Sequence, residues 1–472
     1  MTDTIWQWDA CTTAQAIRNK TVSCEEVTQA HVDHMRVTNP GLNAVVVDLG
    51  DAAIATAREA DVAVAQGGEL DLLHGVPITI KENVDVAGRA NPNGVVAMKD
   101  MLAPSDSPVV RNLTVAGAIP IGLTNTPEFS LRGFTDNPLH GLTLNPWDKA
   151  ITCGGSSGGA GSALVAGIGA LAHGNDIGGS LRWPAHCNGV ATIRPTLGRV
   201  PVYNESAAAE RPISAQLFSV QGPMARSVAD VRLGLEVMAR RDPRDPWWVP
   251  APLSGSKPNG PLRVALAKVP ADMNPDPGVM ALIRQAADHL VAEGYQVDEV
   301  EMPGLDEIWQ CWANPLIGEI RILQQATIRP ITSPEFNAVL DDYIAFAEPL
   351  DQAGYMATLA DRTRHVRNWM ALLEDYPIIL APVSVQTAYG ATEDVDGPRP
   401  IAEMFRNGMR YVGVVNHLGL PSATVPVGLN NGHPVGVQLI ATRFREDLAL
   451  DAAQAIERQA GPLAPQLWSR KT

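Results

Sequence analysis

Three short segments of the chain carry residue types that could together break an amide or ester bond. "GVPITIK" ends on Lys81, "CGGSSGGAG" contains the adjacent serines Ser156 and Ser157, and "DIGGS" ends on Ser180. A serine hydroxyl attacks a carbonyl when a neighbouring base takes its proton. A lysine that is partly desolvated at the end of a strand has a lowered pKa and can act as that base. These segments favour nucleophilic catalysis by serine.

The glycine-rich segment also resembles motifs of other functional classes, and its residues can be compared with each motif in turn. A phosphate-binding P-loop needs a lysine directly after its last glycine, and here Ala160 follows Gly159, so that motif is excluded. "GIGALA" (167–172) fits a loose dinucleotide-binding pattern, but we predict that it lies within a helix. Residues 154–158 also satisfy GxSxG, the nucleophile elbow of α/β-hydrolases, which would make Ser156 the nucleophile.

The context of the GxSxG motif argues against the elbow. In α/β-hydrolases this motif directly follows a strand, whereas residues 145–155 are polar and rich in turn-forming residues. His417 and His433 are candidates for its base, although a lone histidine is more often a structural group than a catalytic one. Ser156 is therefore the less favoured nucleophile.

The segment "HGNDIGGSLRWPA" (173–185) offers a second serine site. Gly178 and Gly179 precede Ser180 in a turn that can point successive backbone N–H groups in one direction. Such a nest would stabilise an oxyanion that forms beside Ser180. The structural alternative is a glycine-bearing loop between a helix and a strand.

The elements that must position these residues alternate along the chain. Polar and apolar residues repeat at helical spacing over 9–37, with Ser23 as an N-cap, and Lys81 ends an alternating strand within 72–88. This interleaving predicts an α/β fold with helices on both faces of the sheet, and 250–261 is predicted to be a surface loop. Further predicted elements are strands at 42–49, 263–269, 295–302, 376–382 and 422–441, helices at 51–66, 278–293, 305–372 and 446–459, and a helix, turn and strand over 108–125.

Composition and charge exclude several classes of protein. The chain has 472 residues, 45% of them hydrophobic and 18% charged, which is globular rather than disordered. Its formal net charge of -15 and the absence of a basic patch argue against nucleic-acid binding. Five widely spaced cysteines predict neither a disulfide framework nor a zinc site. No signal peptide or membrane-spanning stretch is visible, so we expect a soluble, cytoplasmic protein.

Taken together and in order, the motifs identify a resemblance to the amidase signature family of serine amidohydrolases. The resemblance extends over nearly the whole chain. The segments that carry it are "GVPITIKENVDV", "GLTNTPEFS", "NPWD", "GGSSGGAGSALVAG", "GNDIGGSLRWPA", "RPTLGRV" and "GPMARSVAD".

The resemblance implies a Ser-cisSer-Lys triad in place of Ser-His-Asp. By position, Ser180 matches the nucleophile, Ser156 the bridging serine with its cis peptide bond, and Lys81 the base. Ser157 and Gly155 would support this network, and Asp176 and Arg182 would orient the loop. The oxyanion hole would consist of the backbone N–H groups of Ile177, Gly178, Gly179 and Ser180.

The resemblance also implies the organisation of the chain and its partners. It implies one large mixed sheet flanked by helices, within a single amidase domain over 1–472. We divide it into an N-terminal helical segment (1–66), the signature core (67–230), a variable helical and β-α-β part (231–400) and the closing strands and helix (401–472). It implies no cofactor and no metal, no membrane or nucleic-acid partner, a small-molecule substrate and scope for a homodimer.

The expected function is hydrolysis of small to medium amides, anilides or carbamates, with esters also possible, through an acyl-enzyme; aryl acylamidase and urethanase activities fall within this range. The alternative is the glutaminase subunit of a tRNA-dependent amidotransferase. A catalytically silent binding protein is disfavoured because all three triad positions are filled. The chain departs from the family pattern at Asn175, where threonine is common, at Leu123, and over 203–221, which is expected to flank the substrate cleft.

Overall fold

A computed structural model of the chain describes residues 2–256 and 260–470. Its described part contains one sheet of eleven strands in the order β1-β3-β2-β4-β6-β5-β10-β11-β9-β7-β8. The strands are β1 Val45–Asp48, β2 Pro77–Lys81, β3 Ile119–Thr124, β4 Leu171–Asp176, β5 Ala191–Arg194, β6 Val220–Ala225, β7 Arg263–Ala267, β8 Gln296–Val300, β9 Ile378–Pro382, β10 Ser422–Asn430 and β11 His433–Ala441.

Helices fill the connections between the strands. The α-helices are α1 Ala10–Arg18, α2 Cys24–Thr38, α3 Gly50–Gln66, α4 Pro108–Val115, α5 Gly158–Val165, α6 Arg182–Asn188, α7 Ile213–Phe218, α8 Val228–Met238, α9 Pro277–Ala292, α10 Leu305–Glu319, α11 Gln325–Ile328, α12 Pro334–Phe346, α13 Gln352–Asp375, α14 Glu393–Asp396, α15 Ile401–Leu418, α16 Glu446–Ala460 and α17 Ala464–Trp468. Short 3-10 turns lie at Thr2–Gln7, Asn39–Gly41, Val96–Met98, Glu128–Ser130, Ala271–Met273 and Arg329–Ile331, and a π-helical turn at Ile320–Gln324.

The sheet is mixed and carries helices on both faces, as the sequence predicts. Successive residues of a strand point to opposite faces, and in β9 Ile378 and Leu380 join a core with helices α9 and α16. Ile379 and Ala381, which alternate with them, join a second core with helices α10, α13 and α15. This alternation explains why the central strands read as nearly continuous apolar runs.

Strand direction decides where the chemistry-bearing residues lie. β2 pairs in parallel with both β3 and β4. Because parallel strands end at the same edge of a sheet, Lys81 at the end of β2 and Asp176 at the end of β4 are brought to one edge. Ligand sites of open α/β sheets commonly lie at such carboxyl ends.

The N-terminal helical prediction is confirmed. Two helices, α1 and α2, cover most of residues 9–37. The second begins at the predicted N-cap: the Ser23 hydroxyl accepts from the backbone N–H of Glu26, whose carboxylate in turn accepts from the Ser23 N–H. This reciprocal capping box satisfies two backbone donors that α2 would otherwise leave unpaired.

One local prediction is wrong, and one is tested only in part. "GIGALA" is not helical: α5 ends at Val165 and β4 begins at Leu171, because Gly167 and Gly169 adopt positive φ angles of 89° and 73° that end a helix. The segment with Ser180 is a loop between a strand and a helix, β4 and α6. The described residues of 250–261 form no helix or strand, and 257–259 lie outside the described residues.

No helix in the described part of the chain has the length and apolar character needed to cross a membrane.

Candidate active site

Lys81 is a fully buried lysine at the end of β2. Its side chain is 0% exposed, and its Nζ lies 2.7 Å from Ser156 Oγ, 3.2 Å from Ser157 Oγ and 2.7 Å from Asn175 Oδ1. The structure therefore brings together the lysine and both serines that the sequence singled out, although they are about 75 residues apart in the chain.

Burial favours the neutral form of Lys81. Removing the ammonium from water lowers its pKa well below the ordinary value, and the nearby Asp176 and Glu82 carboxylates oppose this only in part. A lysine with a lowered pKa has a greater neutral fraction at a given pH, and the neutral amine has the lone pair that a base needs.

Ser156 lies in a closely packed glycine segment. The peptide bond between Gly155 and Ser156 is cis, as the resemblance implies. A Cβ atom at Gly155 would lie 2.6 Å from the backbone N of Phe134, so no larger residue fits without moving that loop. Ser157 then begins the entry to α5, and its backbone N–H donates to the Ser180 carbonyl at 3.3 Å. That contact holds the two serine segments side by side.

The loop between β4 and α6 carries Ser180 and is shaped by one carboxylate. Asp176 accepts hydrogen bonds from the backbone N–H groups of Gly179, at 2.9 Å, and Leu181, at 3.2 Å. Arg182 donates to the same carboxylate through Nε and Nη2, both at 3.0 Å. Asp176 and Arg182 thus both hold the turn around Ser180, which is only 8% exposed.

The Asp176–Arg182 pair is buried and fully hydrogen-bonded. Both side chains are 0% exposed, and an unpaired charge at such a depth would be strongly destabilising. Asn416 on α15 donates to Asp176 at 2.8 Å and accepts from Arg182 at 2.6 Å. Although burial alone would raise it, the pKa of Asp176 is held well below its ordinary range by Arg182, Arg194 and Asn416.

The geometry refines the expected set of oxyanion donors. The N–H of Gly179 is already bonded to Asp176, which leaves Ile177, Gly178 and Ser180 from the predicted four. The carbonyl of Ile177 accepts from Trp312 Nε1 at 2.9 Å. A Cβ at Gly178 would lie 2.7 Å from the Trp312 ring. Glycine therefore allows the tryptophan to pack directly against the turn.

Two adjoining cavities border the serines. One is apolar, with a volume of about 90 Å³, and Ser180 lies in its wall together with Trp183, Trp309, Trp312, Phe336, Val339, Tyr343 and Phe405. The other, of about 740 Å³, is bordered by Ser156, Asn175 and polar side chains of the 203–221 segment. Five residues line both: Ser130, Leu131, Ile177, Leu316 and Ile320. Ser180 thus borders the aromatic cavity and Ser156 the polar cavity, and the two cavities share part of their walls.

The histidines considered for an elbow mechanism are engaged elsewhere. His417 Nε2 lies 3.1 Å from His365 Nδ1, and burial lowers the pKa of His417 to about 3. His433 pairs with Asp148 at 3.1 Å. The neighbour of Ser156 Oγ is Lys81. No cluster of three or more metal-ligating side chains occurs in the residues that the structure describes.

Sequence reasoning missed several residues that shape this site. Trp309 and Trp312 on α10 both line the aromatic cavity, and the helical pattern over 305–372 gave no sign of this. Asn416 lies on α15 among buried apolar residues. A polar residue within an apolar helical face was the signal that could have identified it. Asn175 was noted as a departure, but not as a partner of Lys81.

Known proteins resemble the chain along its length. A model of the family described as Amidase matches residues 26–450. The Indoleacetamide hydrolase of Bradyrhizobium diazoefficiens is 60% identical over 464 residues, covering 98% of this chain and 88% of that relative. A Glutamyl-tRNA(Gln) amidotransferase subunit of a Synechococcus species is 30% identical, covering 94% of this chain and 96% of that relative. A bacterial aryl acylamidase that belongs to the amidase signature enzymes superimposes on this chain with a TM-score of 0.82 at 25% sequence identity. The match covers 98% of this chain and 99% of that chain.

Proposed function

The chain belongs to the Amidase family and is a hydrolase of amide C–N bonds, and from that premise we propose that it cleaves arylacetamides through Ser180, Ser156 and Lys81. The observation that carries this proposal is the aromatic cavity, because Ser180 lies in its wall. Lys81 Nζ lies 2.7 Å from Ser156 Oγ, so Lys81 can act as the base.

The first half-reaction is a proton relay that forms an acyl-enzyme. Neutral Lys81 takes the proton of Ser156 as Ser156 Oγ takes the proton of Ser180, and Ser180 Oγ bonds to the carbonyl carbon. The carbonyl oxygen becomes an oxyanion that accepts from the N–H groups of Ile177, Gly178 and Ser180. One donor of this kind contributes roughly 3–4 kcal/mol to the transition state.

The protons return as the tetrahedral intermediate collapses. The carbonyl re-forms as the C–N bond breaks, the leaving nitrogen takes the proton of Ser156, which regains one from Lys81, and ammonia leaves the completed acyl-enzyme. In the second half-reaction a water molecule attacks this ester through the same relay. The carboxylic acid is released and Ser180 recovers its hydrogen, so no oxidant or cofactor enters the balance.

The two cavities divide the substrate between them. An aryl ring gains apolar burial and aromatic contacts among Trp309, Trp312 and Phe336. Since the aromatic cavity of about 90 Å³ is smaller than the roughly 150 Å³ that holds benzene, we expect a bicyclic ring to extend into the junction with the polar cavity. The polar cavity, of about 740 Å³, can then receive the leaving amine and water.

The same acyl-enzyme chemistry suits neighbouring carbonyl classes. Anilides, carbamates and esters differ from primary amides in the leaving group, which the polar cavity would receive, so a panel of these measures the range of the site. L-glutamine belongs in the panel because a 30% identical relative carries the name of an amidotransferase component. We expect indoleacetamide to be hydrolysed with a kcat/KM at least about tenfold above that of L-glutamine, because the latter offers no ring to bury.

Filling the aromatic cavity tests how the acyl group is bound. Val339 on α12 lines this cavity and is 2% exposed. We expect Val339→Phe to raise the KM for indoleacetamide by about tenfold or more, because the new ring occupies the space of the substrate ring. The KM for acetamide should change little. Steady-state kinetics on both amides measures the difference.

The matched control is Val115→Phe, which makes the same change at an exposed position at the end of α4. It should alter neither KM. If Val339→Phe raised the two KM values equally, the ring would bind elsewhere and the assignment of the aromatic cavity would be wrong.

A further inference from the structure

Asn175 contacts Lys81 through an oxygen whose orientation is fixed from its far side. Its Oδ1 lies 2.7 Å from Lys81 Nζ, while its Nδ2 donates to Asn83 Oδ1 at 2.8 Å. The opposite amide orientation would set an oxygen against the Asn83 oxygen and would leave Lys81 without this acceptor. The Asn175 amide is therefore held with its acceptor toward the lysine.

Asn83 is itself held in place. Its Nδ2 donates to Ser130 Oγ at 2.9 Å, and Ser130 Oγ donates to Asn93 Oδ1 at 2.7 Å. Each donor in this chain meets an acceptor, so the orientation of Asn175 is set by a network and not by one contact.

A count of hydrogens then orients the lone pair of Lys81. A neutral amine has two hydrogens and one lone pair, and three polar atoms surround this one. Asn175 Oδ1 can only accept, so it takes one hydrogen. Ser157 Oγ has the Asn175 carbonyl at 3.4 Å for its own hydrogen and accepts the second. The lone pair is left for the hydroxyl hydrogen of Ser156.

We propose that Asn175 is a positioning residue that directs the lone pair of neutral Lys81 onto the Ser156 hydroxyl. The inference rests on the proposed function, because it needs Lys81 as the base. Without the Asn175 acceptor, the amine would be free to rotate and to donate a hydrogen to Ser156, an orientation that cannot take its proton.

The other ionisable groups around Lys81 have hydrogen-bond partners of their own. Asp176 is paired with Arg182, which holds its pKa far below the ordinary range. Glu82 lies 2.9 Å from His140 Nε2 and accepts from Gly94. His173, whose pKa burial lowers to about 4, lies 2.8 Å from Gln221.

The experiment compares two side chains of equal shape. Asn175→Thr keeps an oxygen that can accept from Lys81, whereas Asn175→Val has the same volume and no acceptor. With indoleacetamide as substrate, we expect kcat of the valine variant to fall about tenfold or more below that of the threonine variant, which is part of the roughly 10²–10⁴-fold that a general base supplies. KM should be similar in both, because the ring binds in the aromatic cavity.

Asn175→Asp gives an independent measurement through the pH dependence. A carboxylate at this distance stabilises the ammonium form, so the acid-side limb of kcat should move about one to three pH units upward. The shift checks that residue 175 contacts the base, as the 2.7 Å distance requires, whereas the comparison of threonine with valine tests its positioning role.

Equal kcat values for the threonine and valine variants would overturn the inference, as would an unmoved limb in the aspartate variant. Melting temperatures are measured for all three variants, and Ser180→Ala is run beside them. A kcat of Ser180→Ala close to that of the unmodified chain would refute the proposed function itself, which is a different outcome from failure of the Asn175 comparison.

Discussion

Replacing Ser180 with alanine is expected to lower kcat for indoleacetamide by on the order of 10⁴-fold or more, because the variant has no atom to form the acyl-enzyme. The change removes a single oxygen, and the carbonyl of residue 180 still accepts from the Ser157 N–H. We therefore expect the melting temperature to be unchanged. Ammonia release over a long incubation measures the residual rate, and Ser469→Ala, at an exposed serine, is the matched control.

Mass spectrometry identifies the nucleophile directly. Rapid acid quenching of a slowly deacylating aryl ester should leave an acyl group on Ser180 in the unmodified chain and none on Ser180→Ala. In Ser156→Ala the acyl group should still form on Ser180, though slowly. An adduct on Ser156 would instead restore the elbow mechanism.

Replacing Lys81 with methionine is expected to have the second-largest effect. Methionine has a similar length and is apolar, so it suits a position that is 0% exposed. Loss of the base should lower kcat by about 10²–10⁴-fold. The steady-state rate on indoleacetamide measures this loss, and Lys99→Met, at an exposed lysine, should have no effect.

The pH dependence of activity separates a base from a structural lysine. Lys81 must be neutral to accept a proton, so activity should rise with pH through its lowered pKa and form an acid-side limb. Lys81→Met should have no such limb in its residual activity. An acid-side limb unchanged from that of the unmodified chain would rule out Lys81 as the base.

The burial of Lys81 also determines whether the stability of the folded chain rises or falls with pH. The unfolded chain keeps its lysine protonated up to about pH 10.4, whereas in the folded chain Lys81 loses its proton at lower pH. Between these two pKa values the unfolded state binds more protons, so stability rises with pH. The melting temperature of Lys81→Met relative to the unmodified chain should therefore be greatest at the acid end of this window.

The fold class and the residues of the signature segments were open to prediction because their signals are local. Alternation in "PITIK" indicates a strand that ends on Lys81, and glycines around Ser156 and Ser180 indicate tight turns. Strand order was not predictable in this way. That β2 lies beside β4 depends on pairing between residues about 93 apart.

The aromatic cavity could not be predicted from the sequence for the same reason. Its walls come from α10, α12 and α15, whose aromatic residues have the same spacing as ordinary core residues. A helical apolar stripe shows that a face is buried, but not whether protein or ligand covers it. The tight turn before Ser180 was predicted from "DIGGS", while the use of the Gly179 N–H by Asp176 follows from side-chain geometry.

The contact of Arg182 with Asn416 has a consequence for how the chain is made. The two residues are separated by 234 positions, and Gln438, which also accepts from Arg182, is synthesised later still. A ribosome synthesises residues in order, so the nascent polypeptide carries Lys81, Ser156 and Ser180 long before the partners of Arg182 are made. Such distant pairings form late and slowly. Translation therefore delays the shaping of the Ser180 loop until Asn416 and Gln438 have both been synthesised.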